Sequence, residues 1–146
     1  MLTRICAGGI VFCDDRVFIM KNDKNEWVLP KGVVRNKEIS REVALKRVNH
    51  ETGVDVEIVS PAGETNYEFY SQSRKMPVCN KVDWYIMEAA NENFSLNKDE
   101  GFQEGGFFTI EEALEKITYS QDRSLVRLAH RKYNGFRRQI SIAANN

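Results

Sequence analysis

Three side chains that could do chemistry stand within five positions of one another: Arg47, His50 and Glu51. At spacing i, i+3 and i+4 they share one face of a helix, so they would act on one ligand. Arg47 cannot deprotonate, and it therefore serves neither as a base nor as a metal ligand. One helical turn from Glu51, it is placed to pair with that carboxylate and occupy it. With His50, Lys31 and Lys81 it could also hold phosphate oxygens directly, a task that suits the planar fork of Arg. Glu38 upstream, and Glu100 and Glu104 in an acidic stretch, are the other candidate carboxylates. Tyr67, Phe69 and Tyr70 are candidates to stack on a base, because every base has a π-face.

Each of these residues also has a plainer role. Glu38 alone is a helix-entry residue. His50 alone is a solvated or hydrogen-bonded helix histidine, or a ligand for a softer metal such as Mn²⁺ or Zn²⁺. The alternation of Tyr67, Phe69 and Trp84 fits core packing, and Lys81 alone is a surface lysine.

The elements that must position these groups are legible. Residues 40–52 (SREVALKRVNHET) have helical character: Ala44, Val48 and Thr52 recur at i, i+4 and i+8. Ser40 is a candidate N-cap and Gly53 sits where a C-cap glycine belongs. Residues 2–13 read as a buried strand with a close backbone approach at Gly8-Gly9. Asp14–Arg16 is a turn and 17–20 a second strand, which makes a hairpin. Residues 27–32 read as a short strand ended by Pro30 and Gly32, 54–59 as another, and 66–70 with 78–87 as a longer pair. Residues 99–106 read as an acidic, glycine-rich loop. Residues 109–117 read as a short helix capped by Thr109 with Glu112 three positions on, and 120–134 as a last helix. The order β-β-β-α-β-β-β-α-α predicts a mixed sheet with helices on its faces.

The stretch WVLPKGVVRNKEISREVALKRVNHETGV resembles the Nudix box, G-x5-E-x7-R-E-U-x-E-E-x-G-U with U apolar. Gly32, Glu38, Val48, Glu51, Gly53 and Val54 fall on that pattern. Trp27-x-Leu29-Pro30-Lys31-Gly32 is similar to the lead-in of relatives that cleave diadenosine or inositol polyphosphates. The early AGGIVF and the later Phe107-Phe108-Thr109-Ile110-Glu111-Glu112-Ala113 extend the resemblance. It implies an α/β fold, a Nudix α/β/α sandwich with a mixed central sheet, as one domain over 1–146 with the box at 32–54. The activity it implies is pyrophosphohydrolysis, in which Mg²⁺ or Mn²⁺ held by carboxylates neutralises phosphate charge and activates water.

The box departs from the pattern where that chemistry sits. Lys46 stands at the Arg position, Arg47 at the first Glu of R-E-U and His50 at the first Glu of E-E. The helix face therefore changes from about −3 to about 0 at neutral pH. Arg41-Glu42-Val43 also spells R-E-U, but it lies five residues early and breaks the Gly32–Glu38–Gly53 spacing. The resemblance implies that Glu51 and Glu38 keep catalytic positions. It implies metal contacts from the Lys31 carbonyl, Glu51, Glu100 and Glu104 if a metal binds, and substrate contacts from Lys31, Lys81, Tyr67 and Phe69. Two readings follow: a nucleotide or polyphosphate binder with lost or weak hydrolysis and no required metal, or an active hydrolase using carboxylates outside the usual box positions.

Composition bounds the rest. The chain has 146 residues, with 21 basic and 21 acidic side chains, so its net charge is zero and bulk attraction to nucleic acid is not expected. Six Lys/Arg and no acid follow from Arg123 onward, the one segment that speaks for RNA. At 42% hydrophobic and 29% charged residues the chain is not a disordered segment. Cys6, Cys13 and Cys79 lack CxxC spacing and read as buried, reduced thiols. No apolar run approaches a membrane span and no secretory leader is recognisable, so the expectation is a cytoplasmic protein with a small-molecule partner, a homodimer being left open.

Overall fold

The computed structural model describes residues 1–144. The chain begins with β1 (Leu2–Cys13), β2 (Arg16–Lys21), β3 (Trp27–Val28) and β4 (Lys31–Val33), followed by α1 (Ser40–Thr52). Then come β5 (Val56–Ser71), β6 (Met76–Ala89), a single 3-10 turn at Lys98–Glu100, β7 (Glu104–Thr109), α2 (Ile110–Lys116) and α3 (Ser120–Ala144). The strands run in the order β3-β2-β1-β6-β5, with β4 also paired to β1 and β7 to β2. β1 and β6 are parallel, from Leu2 opposite Val78 to Phe12 opposite Glu88, and the other pairs are antiparallel. The sheet is therefore mixed, as expected.

Apolar residues alternate across this sheet and divide the core in two. On one face Ala7, Val11 and Met87 pack with Val43, Ala44 and Val48 of α1. On the other, Ile10, Phe12 and Ile86 pack with Ala113 of α2 and Val126 and Ala129 of α3. This is the expected α/β/α arrangement, and it explains why residues 6–13 of β1 are buried without a break. The close approach expected at Gly8-Gly9 is present. A Cβ on Gly9 would meet Met87 Sδ at 2.6 Å and Val48 Cγ2 at 2.9 Å, so α1 lies directly on the strand. Among the described residues no helix is long and apolar enough to cross a membrane.

Four local expectations change. Ser40 is not the N-cap: Ile39 holds that position with no side-chain cap, and Ser40 Oγ bonds Asp83 Oδ2 at 3.1 Å instead. Residues 54–59 and 66–70 are not two strands but one, β5, with irregularities between Ile58 and Ser60 and between Pro61 and Gly63. These bulges absorb the glycine and proline that read as breaks. The acidic loop ends early, because Glu104–Thr109 pairs with all of β2, from Lys21 to Arg16. Finally, α3 continues ten residues beyond 134. Gly53 does end α1, in the left-handed region at φ 68°, and Thr109 with Glu112 forms the expected capping box of α2.

Candidate active site

The candidate site is built at the C-terminal half of α1, where it faces β4 and the 3-10 turn. Arg47 Nη2 donates to Glu51 Oε1 at 2.9 Å, the pairing expected one turn apart. Its aliphatic stem runs over Gly32: a Cβ there would lie 2.5 Å from Arg47 Cγ and Cδ. The first glycine of the box thus makes room for the arginine. Glu51 is 3% exposed. Its second oxygen, Oε2, and Arg47 Nε are buried with no hydrogen-bond partner among the described residues. Burial pushes the Glu51 carboxyl up to about 7, against the pull of Arg47. The direction fits a carboxylate with only one oxygen satisfied in a dry place. Glu100 joins from the 3-10 turn, with Oε1 3.2 Å from His50 Nε2 and Oε2 3.9 Å from Arg47 Nη2.

In front of this cluster lies an open cleft of about 610 Å³. Arg4, Lys31, Arg35, Lys46 and Arg47 line it, with His50, Tyr67 and Asn80, against one carboxylate, Glu38. Of the five permanent cations only Arg47 has an ion-pair partner among the described residues. Glu38 turns its Oε1 back to accept from the Arg35 backbone N–H at 2.6 Å, closing the loop that leads into α1. The far wall is fixed by a relay. Arg4 Nε donates to Asn80 Oδ1 at 3.0 Å, and Asn80 Nδ2 donates to the Tyr67 hydroxyl at 3.1 Å. Tyr67 thereby keeps its own proton free to donate. Lys31 Nζ lies 4.9 Å over the Tyr67 ring, and Tyr119 stands with its ring 6.4 Å from that of Tyr67 and 18° from parallel.

The structure brings together Lys31, Glu38, Arg47, His50 and Tyr67 around this cleft, with Glu51 behind Arg47. Phe69 borders an adjoining groove, 5.8 Å from the Arg4 guanidinium and stacked 6.1 Å from Tyr67. Two named residues are not brought in. Lys81 is exposed and, one position from Asn80 on β6, points to the other face of the sheet. Glu104 turns away to pair with Lys21 at 2.9 Å. Arg4, Arg35, Asn80, Tyr119 and Asp122 went unremarked in the sequence. Asn80 carried a signal, a buried amide among Val78, Cys79 and Val82. Asp122 carried another, an acid three and four residues before Leu125 and Val126 on the apolar stripe of α3.

The Mg²⁺ or Mn²⁺ implied by the resemblance needs several oxygen ligands converging on one point. No group of three His, Cys, Asp or Glu side chains among the described residues could hold a metal. Glu51 gives one oxygen to a guanidinium, and Glu100 is engaged with His50 and Arg47. The residues present do not fit the metal at the box. They do suit an anion, which five cations in a concave wall would attract.

Residues 2–129 match the NUDIX domain model. Over 103 residues the chain is 27% identical to the putative mutator protein MutT4 of Mycobacterium tuberculosis (strain CDC 1551 / Oshkosh), covering 70% of this chain and 40% of that protein. A C. elegans Ap4A hydrolase binary complex superposes with TM-score 0.74 at 16% identity, covering 90% of this chain and 98% of that one. The E. coli dihydroneopterin triphosphate pyrophosphohydrolase superposes with TM-score 0.69 at 12% identity, over 86% and 95%. At such identities the superpositions speak for the fold, and the sequence model, matching most of the length, speaks for the family: the chain belongs to the NUDIX domain family.

Proposed function

We propose that the protein binds a nucleotide or polyphosphate through direct contacts from its cationic cleft, with metal-dependent pyrophosphohydrolysis lost or weak. Members of the family generally use a divalent metal such as Mg²⁺ or Mn²⁺. The observation that carries the reading is Arg47, a fixed cation bonded at 2.9 Å to Glu51, the last box glutamate. Its guanidinium takes up an oxygen that a metal would need, and with Lys31, Arg35, Lys46 and Arg4 it offers donors to phosphate. Tyr67 and Tyr119 supply a surface on which a base can stack.

Calorimetry with pyrophosphate and nucleoside diphosphates, with and without Mg²⁺, tests this alongside a phosphate-release screen. Binding should need no Mg²⁺, and turnover should lie about 10²–10⁴-fold or more below ordinary enzyme rates. Arg47→Glu with His50→Glu should weaken metal-free binding and create Mg²⁺ affinity. Turnover of a dinucleoside polyphosphate at about 1–10³ s⁻¹ would refute the reading. One observation favours the second reading, an active hydrolase with a carboxylate from outside the box: Glu100 reaches His50 at 3.2 Å. In that case Glu100→Gln should remove the activity.

A further inference from the structure

Lys31 and Tyr67 border two spaces at once, the cationic cleft and a smaller cavity between β5 and the start of α3. That cavity is lined by Tyr119, Ser120, Gln121 and Asp122 besides the shared pair. Asp122 lies on the apolar stripe of α3 and is 9% exposed. An acid in the first turn of a helix often does no more than balance the helix dipole, but that role needs no burial. Here burial pushes the carboxyl up from its ordinary range, and the one opposing influence is the charge of Lys31. Its carboxylate accepts no hydrogen bond from any side chain or backbone group among the described residues, whereas buried acceptors ordinarily have partners. It faces a cavity walled by two tyrosine rings that are within 18° of parallel. A partner that completes this site is flat and carries N–H donors.

We propose that Asp122 selects the base of the bound nucleotide, accepting two adjacent N–H groups of a guanine-type ring and disfavouring adenine. This rests on the phosphate-binding reading above, since phosphates in the cationic cleft would anchor the base in the adjoining slot. An ionised carboxylate is an acceptor only, with two oxygens side by side. Guanine presents a ring N–H next to an amino group on its pairing edge, so both oxygens are satisfied. Adenine presents an amino group next to a bare ring nitrogen, whose lone pair would face a carboxylate oxygen. Leaving that buried oxygen unpaired is the penalty that separates the two bases.

The full-length chain is titrated calorimetrically with inorganic pyrophosphate, GDP, IDP and ADP. The native protein should bind GDP about tenfold to a hundredfold more tightly than ADP, a good bidentate contact being the source. IDP, which keeps the ring N–H and lacks the amino group, should fall between. Asp122→Asn should reverse the order, because an amide offers one acceptor and one donor and so matches adenine. Asp122→Ala should level the two nucleotides. Pyrophosphate should bind alike to all three proteins, which also certifies that the variants are folded. A purely structural aspartate would shift stability and leave the ratio alone. Equal GDP and ADP affinity in the native protein, or a ratio unmoved in both variants, overturns the assignment while pyrophosphate binding keeps the phosphate reading standing. Failure of pyrophosphate and all nucleotides to bind overturns both.

Discussion

Glu51 is the residue whose ionisation the fold perturbs most tellingly. It is buried, half satisfied, and raised to about 7, whereas in the unfolded chain it titrates near 4.5. Between those values the folded state holds a proton that the unfolded state has released. Stability therefore falls as pH rises from about 4.5 to about 7 and is flat above, the contribution being at most about 3 kcal/mol. Urea denaturation of the native protein and of Glu51→Gln across this range checks it: the difference between the two should shrink to nothing at acid pH and grow toward neutrality. A difference independent of pH would mean that the Arg47 pair keeps Glu51 ionised throughout. Much of this cluster was legible, because box spacing is a local property: Arg47 was expected to pair with Glu51 and does so at 2.9 Å. Arg4 was not, because its partner Asn80 lies 76 positions away and meets it only through the β1–β6 register.

Helix α1 shows how an element sets the site. The Gly53 N–H closes on Asn49 O, and the segment after β6 satisfies the last carbonyls: Ser95 N–H donates to Thr52 O at 2.7 Å and Asn97 N–H to Glu51 O at 2.9 Å. That segment then forms the 3-10 turn that carries Glu100 to His50. A Cβ on Gly53 would stand 3.0 Å from Ser95 N, in a backbone region costly to L-residues. Gly53→Ala should therefore cost about 1–2 kcal/mol in a urea melt. The bounds of α1 were readable because periodicity and Gly53 agree. The capping role of Ser40 was misread because its hydroxyl is drawn to Asp83, a tertiary partner that no local pattern contains. The single strand β5 was hidden for a similar reason, since Pro61 and Gly63 look like punctuation until β6 is alongside.

Over the whole molecule, zero net charge conceals an uneven arrangement. The acids between 92 and 112 are largely spoken for: Glu92 lies 3.5 Å from Arg16, Glu104 pairs with Lys21, Glu100 meets His50, and Glu112 caps α2. The cations of the cleft are mostly unpaired, so its potential is positive although the chain is neutral. Pyrophosphate affinity should accordingly fall about three- to tenfold between low salt and about 0.5 M NaCl, since an open cleft is exposed to screening. Affinity unchanged by salt would place the anion elsewhere.

The irregularities in β5 have a consequence for how this surface meets other surfaces. β5 ends the strand order, so sixteen residues present an outer edge to solvent. An uninterrupted edge of that length is a template on which foreign strands can grow into fibrils. The breaks at Ile58/Ser60 and Pro61/Gly63 divide it, and proline has no N–H to offer. What remains as the longest regular run, 63–71, carries Glu64 and Glu68, whose like charges would repel a second copy laid against the same run. The kinks that disguised one strand as two thus also guard the longest edge of the sheet against stacking into aggregates.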